Sequence, residues 1–293
     1  MMTRLEPGLL VRTNELLARH TTWRVGGPAD RFYVPETPFA LAALLREDTQ
    51  VPVTWLGLGS NVLVRDGGIR GLVVTTAGGL GGLVRDEDGV QVGAGVPVAK
   101  VARFCAGHGL GGLEFFAGIP GTVGGALAMN AGAADGETWD HVEQVETIDR
   151  MGVIRVRGRS EFVVAYRQVQ TPPDEWFVAA RFKLAPAAAD GRLRIRELLT
   201  HRNASQPLQT ANAGSVFRNP PGDYAARLIE QAQLKGLQEG AAVVSTRHAN
   251  FIVNEGGASA QEIEALIARV QATVYERTGV LLEPEVRIVG EVL

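Results

Sequence analysis

The most informative segment of the chain is Ala117-Gly118-Ile119-Pro120-Gly121-Thr122-Val123-Gly124-Gly125-Ala126. Pro120 and the small residues around it predict a tight turn that leads into a short helix. The N-terminus of a helix without bulky side chains suits a pyrophosphate group, and it lets a flat ring lie against the main chain. Small residues continue through Ala128-Met129-Asn130-Ala131-Gly132-Ala133. The segment is therefore a candidate nucleotide-binding loop.

A second glycine loop, Gly57-Leu58-Gly59-Ser60-Asn61, follows a short apolar run that we predict to be a buried strand. Successive backbone N–H groups in such a turn can form an anion-binding nest, to which the Ser60 hydroxyl and the Asn61 amide would add donors. Either loop alone fits equally well with turns that pack closely and bind nothing. The two loops together with Thr22-Trp23-Arg24-Val25-Gly26-Gly27 favour a dinucleotide.

Glycine is concentrated in this part of the chain. It makes up 36 of 293 residues, and 22 of the 36 lie between Gly57 and Gly136. The overall share is about 12 %, against an average of about 7 %. Glycine lets backbone N–H groups approach a ligand closely, so its local enrichment agrees with a binding role for the loops.

Composition excludes several classes of protein. A length of 293 residues predicts about two domains, and a 45 % apolar content is that of a folded globular chain. The net charge of −3 gives no sign of a nucleic acid or membrane partner, and one Cys allows neither a disulfide framework nor a thiolate metal cluster. Met1–Pro7 has no apolar signal core and no apolar run approaches about 20 residues, so we expect a cytoplasmic protein.

Periodicity predicts mixed α and β structure. The first half reads as strands and helices separated by glycine loops, with helices over 38–47 and 98–106 and a hairpin that turns at Asp86–Gly89. The turn-rich stretch 185–191 is the candidate domain boundary. In the last hundred residues we predict two helices, one capped by Asp223 that runs from Tyr224 to about Lys235 before Gly236, and one from the Ser259 capping box to Gly279.

A literal Gly-x-Gly-x-x-Gly occurs at Gly107, Gly109 and Gly112. The Rossmann fingerprint must follow a strand and open a helix, whereas this copy follows a predicted helix. We therefore interpret it as a helix end and a loop, and we predict that the chain has no Rossmann site of its own.

Five motifs in order resemble the UDP-N-acetylenolpyruvoylglucosamine reductase family. They are His20-Thr21-Thr22-Trp23-Arg24-Val25-Gly26-Gly27, Gly57-Leu58-Gly59-Ser60-Asn61, the Gly118–Ala126 segment, Asn212-Ala213-Gly214-Ser215-Val216-Phe217-Arg218-Asn219-Pro220 and His248-Ala249-Asn250-Phe251-Ile252-Val253-Asn254. Their ordered coverage from about His20 to Glu285 is far more specific than any one loop. The short chain resembles the second type of the family, which lacks the inserted tyrosine-bearing loop of the first type.

The resemblance implies an α+β protein. Its fold would be a two-subdomain FAD-binding fold of the vanillyl-alcohol-oxidase / p-cresol-methylhydroxylase type, followed by a small α+β substrate domain. On this basis we place the FAD-binding domain at 1–190, with subdomains of about 1–65 and 66–190, and the substrate-binding domain at 191–293.

The implied reaction has two halves, and FAD and NADPH are the implied cofactors. NADPH reduces FAD, and the flavin then gives a hydride to the enolpyruvyl ether of the UDP-sugar while the other vinyl carbon takes a proton. The product would be UDP-N-acetylmuramate, a precursor of peptidoglycan. Negative charge develops at the substrate carboxylate, so the site needs fixed donors there and a positioned acid. No obligate protein partner is evident.

Three residues match the catalytic positions of the family. Ser215 matches the serine that donates the proton, although by itself it could be an ordinary serine at the start of a strand. Arg167 follows Tyr166 and matches the arginine that holds the carboxylate and stabilises the enolate, a task that suits a planar guanidinium. Without the resemblance, Arg167 could be a surface arginine at a strand end, and Val169 stands where the family usually has serine.

Glu285 matches the catalytic glutamate of the family. Glu283 lies two residues away and would point the same way in an extended segment, so the pattern alone leaves the choice open. The resemblance selects Glu285, with the implied role of a hydrogen-bond partner or proton donor near the enolate.

The resemblance and the two loops also give candidate binding residues. Those for the cofactor are Arg24, Gly57, Gly59, Ser60, Asn61, Gly118, Gly121, Thr122, Gly124, Gly125, Ala126, Asn130 and Gly132. Those for the substrate are Tyr166, Arg202, Gln206, Arg218, Asn219 and Asn250, among which Arg218 suits the UDP phosphates.

Other reactive side chains carry no site in this interpretation. His108 and His248 are far apart and lack a metal-ligand spacing, so we predict no metal. Cys105 lies on the apolar face of a predicted helix and is expected to be a buried structural thiol.

Two other functions fit part of the chain. A different FAD oxidoreductase of the same fold, acting on a hydroxy acid or a sugar, would explain residues 20–184 but not the Ser215 motif or Glu285. A catalytically silent nucleotide-binding module would not require Ser215, Arg167 and Glu285 to serve one reaction.

Overall fold

A computed structural model of the chain describes residues 2–4, 10–47, 49–134 and 136–293. Met1–Pro7, the segment that the sequence predicts not to be a signal, lies outside these ranges except for residues 2–4. Within the described ranges, no helix combines the length and the apolar character that crossing a bilayer requires.

Short strands and six α-helices make up the described chain. The helices are α1 (Pro38–Glu47), α2 (Val98–Gly107), α3 (Val123–Met129), α4 (Gly191–Ser205), α5 (Ala225–Gln231) and α6 (Ala260–Thr278). The strands are β1 (Met2–Arg4), β2 (Leu10–Leu16), β3 (Pro28–Tyr33), β4 (Val53–Leu56), β5 (Val62–Val64), β6 (Ile69–Thr75), β7 (Leu83–Arg85), β8 (Gly89–Gly93), β9 (Leu110–Gly111), β10 (Gly132–Ala133), β11 (Gly136–Glu137), β12 (Val142–Asp149), β13 (Ile154–Gly158), β14 (Val163–Ala165), β15 (Gln168–Gln170), β16 (Glu175–Lys183), β17 (Ala185–Pro186), β18 (Gln238–Glu239), β19 (Ala242–Val244), β20 (Ile252–Asn254) and β21 (Arg287–Val289).

The chain forms two compact units that are not continuous in sequence. Unit 1 comprises Met1–Thr13, Arg31–Leu58 and Gly71–Arg202, and unit 2 comprises Asn14–Asp30, Gly59–Arg70 and Asn203–Leu293. The division after Arg202 lies beyond the predicted boundary at 190/191. The predicted domain limits stay a prediction, because the compact units describe packing rather than the reach of each binding function.

Two five-stranded sheets form the framework of unit 1. The first has the strand order β1-β2-β3-β6-β4, with β4 and β6 parallel, and the chain divides between the units within β2, β3 and β6. The second has the order β13-β12-β16-β8-β7 and is antiparallel throughout.

Unit 1 has two hydrophobic cores, which can be compared with the two subdomains predicted at about 1–65 and 66–190. One core packs α1 against the first sheet, with Leu41, Leu45, Val74 and Tyr33 buried. The other packs α2 and α3 against the second sheet, around Phe116 and other large side chains. The first core also uses Leu72 and Val74, beyond the subdomain limit predicted at about 65.

Unit 2 is a small α+β structure. A three-stranded antiparallel sheet, β18-β19-β20, lies against α5 and α6, and β21 pairs in parallel with β5 from an earlier part of the chain. Trp23 is fully buried in this core, and its indole N–H donates to the carbonyl of Ile252 at 2.8 Å.

Several predicted elements are confirmed. Helix α1 has the predicted limits, α2 extends one residue further to Gly107, and β7 and β8 form the predicted hairpin around Asp86–Gly89. Helix α6 begins with the Ser259 capping box, since Ser259 Oγ accepts the Glu262 N–H, and it ends at Gly279 with φ 73°. The motif at Gly107, Gly109 and Gly112 begins at the last residue of α2 and contains β9, so it does not open a helix, in agreement with the rejection of a Rossmann site.

The predicted helix from Tyr224 to about Lys235 begins within one residue of its predicted start, but its C-terminal end and its predicted cap are wrong. Helix α5 ends at Gln231, because Gln233 takes a left-handed conformation (φ 56°) and the Leu234 N–H turns back to the carbonyl of Ile229. Asp223 does not cap the helix, since its carboxylate accepts the N–H of Tyr224, outside the helix. The side chain of Asn219 caps it instead, by accepting the Ala225 N–H at 3.1 Å.

The predicted boundary segment 185–191 is more ordered than its composition suggests. Its first two residues form β17, which pairs with β9, and its last residue begins the 15-residue helix α4. Helix α4 has little apolar periodicity to indicate it, because Gly191 and Ile195 are its only buried residues. Asp190, which we interpreted as a turn residue, accepts the Arg192 N–H at 2.9 Å at the start of this helix.

Candidate functional site

The loop at 117–126 forms the predicted turn and short helix in unit 1. Thr122 is the N-cap of α3, and its hydroxyl accepts the Gly125 N–H at 3.4 Å. The N–H groups of Val123 and Gly124 donate to the carbonyls of Val96 and Ala94 at 2.9 and 2.8 Å. The N–H groups of Val123, Gly124 and Gly125 are therefore hydrogen-bonded within the protein, so they are not available for the predicted pyrophosphate contact.

The turn just before α3 retains free donors. Among the residues that the structure describes, the backbone N–H groups of Gly121 and Thr122 have no acceptor. A Cβ on Gly118 would lie 3.7 Å from Arg202 Cδ and one on Gly125 would lie 3.6 Å from Thr122 Oγ1, so these glycines are not required by close packing. Unpaired N–H groups beside side-chain-free surface fit a bound phosphate group and a flat ring.

Other glycines of the two loops serve packing. A Cβ on Gly57 would lie 2.7 Å from Thr122 Oγ1, and one on Gly124 would lie 3.0 Å from the Ala94 side chain. In unit 2, a Cβ on Gly59 would lie 2.1 Å from the carbonyl oxygen of His20, and Gly59 has φ 67°. The alternative reading of close-packed turns therefore holds for these positions, while the free donors lie at Gly121 and Thr122.

The end of the Gly57–Asn61 loop is joined to the Glu285 segment in unit 2. Strands β5 and β21 pair in parallel, and the Arg287 N–H donates to the Asn61 carbonyl at 3.1 Å. The side-chain amide of Asn61 donates to the Glu285 carbonyl at 3.1 Å. Arg24, from the upstream motif, is exposed and has a left-handed backbone (φ 59°).

Ser215 begins a segment that runs alongside Glu285. Gly214 has φ 75°, and its N–H donates to Asn212 Oδ1 at 2.9 Å, so the chain turns immediately before Ser215. The carbonyl of Val216 accepts the Glu285 N–H at 2.8 Å. Ser215 is half-buried, and its hydroxyl makes no hydrogen bond to a described residue. Unit 2 thus brings these two predicted catalytic residues into neighbouring backbone positions.

The structure distinguishes the two glutamates that the sequence pattern leaves open. The Glu283 side chain is 74 % exposed and lies 3.8 Å from the Arg218 guanidinium. Glu285 is half-buried next to Val216. The environment of Glu285 is therefore the better suited to an acid that acts on a bound substrate.

Arg167 lies in unit 1, at the tip of a hairpin. Strands β14 and β15 are joined by Tyr166 and Arg167 alone, and Arg167 has φ 54°. Its guanidinium donates to the carbonyls of Gly132 and Asn130 at 2.7 and 3.3 Å, and it lies 4.8 Å from the centre of the Tyr166 ring. The guanidinium is thereby held against the segment that follows α3.

Asn130 supports this arrangement with a fully used side chain. Its Nδ2 donates to Glu137 Oε2 at 2.7 Å and to the Ala165 carbonyl at 3.2 Å, and its Oδ1 accepts the Trp139 N–H at 3.1 Å. It is 1 % exposed and has φ 47°, a conformation that asparagine tolerates better than most residues. A cofactor contact at Asn130 would have to use its backbone.

The predicted substrate residues fall in both units. Tyr166 is 46 % exposed, and the half-buried Arg202 lies beside Gly118, where burial lowers the pKa of its guanidinium. In unit 2, Gln206 lines a cleft of about 580 Å³, together with residues of the 207–210 segment and with Ser245 and Arg247. Asn250 is 3 % exposed, and both ends of its carboxamide bind Phe217, so its side chain is not available to a ligand.

Cys105 and the remaining possible metal ligands lie outside the candidate site. Cys105 is buried as predicted, and burial raises the pKa of its thiol to about 12. Within the part of the chain that the structure describes, no three His, Cys, Asp or Glu side chains lie together as a metal site would require.

Comparison with known proteins gives matches over almost the whole chain. The sequence profile of an FAD binding domain matches residues 29–157, and that of the UDP-N-acetylenolpyruvoylglucosamine reductase C-terminal domain matches residues 206–289. The chain is 56 % identical over 290 residues to the UDP-N-acetylenolpyruvoylglucosamine reductase of Alkalilimnicola ehrlichii, covering 98 % of this chain and 97 % of the relative. It is 57 % identical over 281 residues to that of Methylococcus capsulatus, covering 95 % and 92 %.

A solved structure gives the same result. The crystal structure of UDP-N-acetylenolpyruvylglucosamine reductase from Thermus caldophilus superposes with a TM-score of 0.83 at 36 % identity, covering 98 % of this chain and 99 % of that one. Together with the two profile matches, it confirms the predicted order of an FAD-binding fold followed by a small α+β domain.

Proposed function

The chain belongs to the UDP-N-acetylenolpyruvoylglucosamine reductase family, and on this basis we propose that it reduces the enolpyruvyl ether of UDP-N-acetylglucosamine-enolpyruvate to UDP-N-acetylmuramate. The reaction would use FAD and NADPH and would serve peptidoglycan synthesis. The observation that carries the proposal is that the chain aligns with the named relatives over nearly their full length and is identical to them at more than half of the aligned positions. The cytoplasmic location predicted from the sequence is part of the proposal.

The residues of the glycine loops fit an FAD molecule that is bound without a covalent link. The unpaired N–H groups of Gly121 and Thr122 would hold phosphate, and the lack of side chains at Gly118 and Gly125 would let a flat group approach the main chain. The other proposed contacts are Arg24, Ser60, Asn61 and Gly132, with Gly57, Gly59, Gly124 and Ala126 shaping the loops. When bound, FAD would supply the electron transfer from NADPH to the enolpyruvyl double bond.

Ser215 would donate the proton to the substrate carbon. Its hydroxyl has no partner among the described residues, and the turn at Gly214 fixes the backbone immediately before it. Serine is a weak acid, so its proton would move only when negative charge has built up on the carbon. Glu285, held at the neighbouring backbone position, would act as a hydrogen-bond partner or proton donor near the enolate.

Arg167 would stabilise the charge that develops on the substrate carboxylate. A guanidinium carries a permanent charge and offers two parallel N–H donors to a carboxylate. In this structure Nη1 and Nη2 donate to the carbonyls of Asn130 and Gly132, and Nη1 lies 3.7 Å from a carboxylate oxygen of Glu137, so these groups orient the guanidinium. Tyr166, Arg202, Gln206, Arg218 and Asn219 are proposed substrate contacts, with Arg218 toward the UDP phosphates.

The deciding experiment takes the two half-reactions separately. We expect the purified holoenzyme to be yellow, to lose flavin absorbance when NADPH is added without oxygen, and to regain it when the enolpyruvyl sugar nucleotide follows. Reduction without recovery would identify another FAD oxidoreductase, and a colourless protein that binds no flavin would identify a silent nucleotide-binding module.

A further inference from the structure

We propose that Asn250 is a positioning residue for the reaction, because it fixes the segment that places Ser215 next to Glu285. The proposal rests on the proposed function, in which Ser215 donates the proton. It assigns Asn250 to the backbone of the site rather than to direct substrate contact.

Asn250 occupies one edge of the Val216–Phe217 segment. Its Oδ1 accepts the Phe217 N–H at 3.0 Å, and its Nδ2 donates to the Phe217 carbonyl at 2.8 Å. Its own carbonyl accepts the Val216 N–H at 2.9 Å. Three hydrogen bonds from one residue therefore satisfy two consecutive residues, as a neighbouring strand would do.

The other edge of the same segment carries the glutamate. The Glu285 N–H donates to the Val216 carbonyl at 2.8 Å, and the Arg218 N–H donates to the Glu283 carbonyl at 2.9 Å. Phe217 and Pro284 form an isolated β-bridge. Since the segment is bound on both edges, loosening the Asn250 edge would shift Ser215 relative to Glu285.

Asn250 is itself held in place. Its N–H donates to Nδ1 of His248 at 3.3 Å, and the His248 ring packs edge-on against Phe251 with ring centres 4.8 Å apart. The Phe251 N–H donates to the His248 carbonyl at 3.0 Å, and the Ser245 N–H donates to the Phe251 carbonyl at 2.8 Å. The tight turn gives the carboxamide one orientation.

The chemistry of the side chain makes the proposal specific. A carboxamide offers one acceptor and one donor, which match the N–H and the carbonyl of a single residue. Alanine would leave both Phe217 groups without partners at a residue that is 2 % exposed. An ionised aspartate would place a second acceptor against the Phe217 carbonyl, whereas a protonated aspartate would restore the pattern of asparagine.

The test compares Asn250→Ala and Asn250→Asp with Asn254→Ala as the matched control. Asn254 is half-buried and, like Asn250, binds backbone groups through its side chain, because it donates to the Trp23 carbonyl at 2.9 Å and accepts the N–H groups of Gly256 and Ala258 at 2.9 and 3.1 Å. Its contacts do not include the Ser215 segment, so its loss measures a general effect on unit 2.

The first measurement is backbone hydrogen exchange in the holoenzyme, followed by mass spectrometry. We expect faster exchange in peptides that cover 215–218 and 283–286 for Asn250→Ala and unchanged exchange there for Asn254→Ala. Unchanged exchange in Asn250→Ala would overturn the proposal, whatever reaction the enzyme catalyses.

The second measurement is the rate of each half-reaction. In Asn250→Ala, reoxidation by the enolpyruvyl substrate should slow about 100-fold, because small misplacements of reacting groups cost that much, while reduction by NADPH stays near the wild-type rate. In Asn250→Asp, reoxidation should be faster at low pH than at high pH relative to the wild type, since burial raises the pKa of a carboxyl group and the protonated form can donate to the Phe217 carbonyl.

Each remaining outcome decides between the claims. Equal slowing of both half-reactions, or equal slowing in Asn254→Ala, would reduce Asn250 to a general structural residue and overturn the proposal. If the wild-type enzyme is not reoxidised by the enolpyruvyl substrate, the proposed function fails. The exchange measurement then still decides whether Asn250 fixes the segment.

Discussion

The side-chain amide of Asn61 donates a hydrogen bond to the main-chain carbonyl of Glu285 at 3.1 Å. The parallel pairing of β5 with β21 sets this distance, because it aligns Val62 with Arg287, one residue beyond Asn61. A loop proposed to hold the cofactor is thus tied to the segment proposed to hold the acid. Substitutions at Asn61 should therefore affect the acid as well as flavin binding.

Replacing Ser215 should separate the two half-reactions. We expect Ser215→Ala to leave flavin reduction by NADPH nearly intact, because no proton goes to carbon in that step. Reoxidation should fall about 10²–10⁴-fold, the usual loss for a positioned acid. Ser215→Cys should recover part of the rate, since a thiol can still donate. Stopped-flow absorbance measures both steps, and equal slowing of the two would show that Ser215 positions the flavin instead.

The two glutamates should behave differently. Glu285→Ala should slow reoxidation because it removes a half-buried carboxyl group beside Val216. Glu283→Ala is the matched control, and it should change the rate little because that side chain is 74 % exposed. The same stopped-flow assay compares them. A larger effect at Glu283 would reverse the assignment.

A lysine should not replace Arg167. Arg167→Lys keeps the charge but loses the planar pair of donors, so turnover should fall about 10- to 150-fold, the worth of one hydrogen bond to a charged group. Arg159→Lys is the control, because Arg159 also stacks over an aromatic ring, that of Trp139, and donates to its carbonyl. Steady-state turnover with saturating NADPH measures both, and similar losses would remove Arg167 from the reaction.

His248 should make stability depend on pH. Burial lowers the pKa of His248, Lys235 adds to this effect and Glu230 opposes it. The unfolded chain then binds the proton more tightly, so the stability contribution is complete above about pH 6.5 and is lost as the pH falls toward the folded pKa. We expect His248→Asn to flatten the fall in urea midpoint below about pH 6.5. An unchanged fall in His248→Asn would contradict this expectation.

Asp66 should stabilise α6 from a distant part of the chain. Its carboxylate accepts the N–H groups of Ala260 and Gln261 at 2.9 and 3.0 Å, in addition to the Ser259 capping box. Asp66→Ala should lower the free energy of unfolding by about 0.5–2 kcal/mol, the range for loss of a helix cap. Asp66→Asn, which keeps one acceptor, should lose less. Urea unfolding followed by circular dichroism would contradict this if all three proteins had one midpoint.

The elements with strong local signals could be predicted from the sequence. The capping box at Ser259, the left-handed Gly279 and the Asp-Gly hairpin are determined by residues close together in the chain. Helix α5 was predicted too long because the chain leaves the helix at Gln233, a residue with no left-handed preference of its own. Its cap comes from Asn219, six residues before Ala225, a spacing outside the usual signature.

The candidate site shows the same division between local and distant causes. Motifs located Ser215, Arg167 and Glu285, but their partners lie far away in sequence. The Asn61 amide meets Glu285 from 224 residues away, and the Asn250 carboxamide meets Phe217 from 33 residues away. The sequence also suggested the helix N-terminus at Val123 as an anion site, although Ala94 and Val96 accept two of its donors.

The discontinuous composition of unit 2 has a consequence for synthesis of the chain on the ribosome. Trp23 emerges early, yet its indole N–H pairs with Ile252 and its carbonyl pairs with the side chain of Asn254. The core that contains segments 14–30 and 59–70 can therefore form only after more than a hundred further residues have been synthesised. We therefore expect a chain cut after Arg202 to expose Trp23, because Ile252, which accepts its indole N–H, and most of the core around it lie beyond the cut.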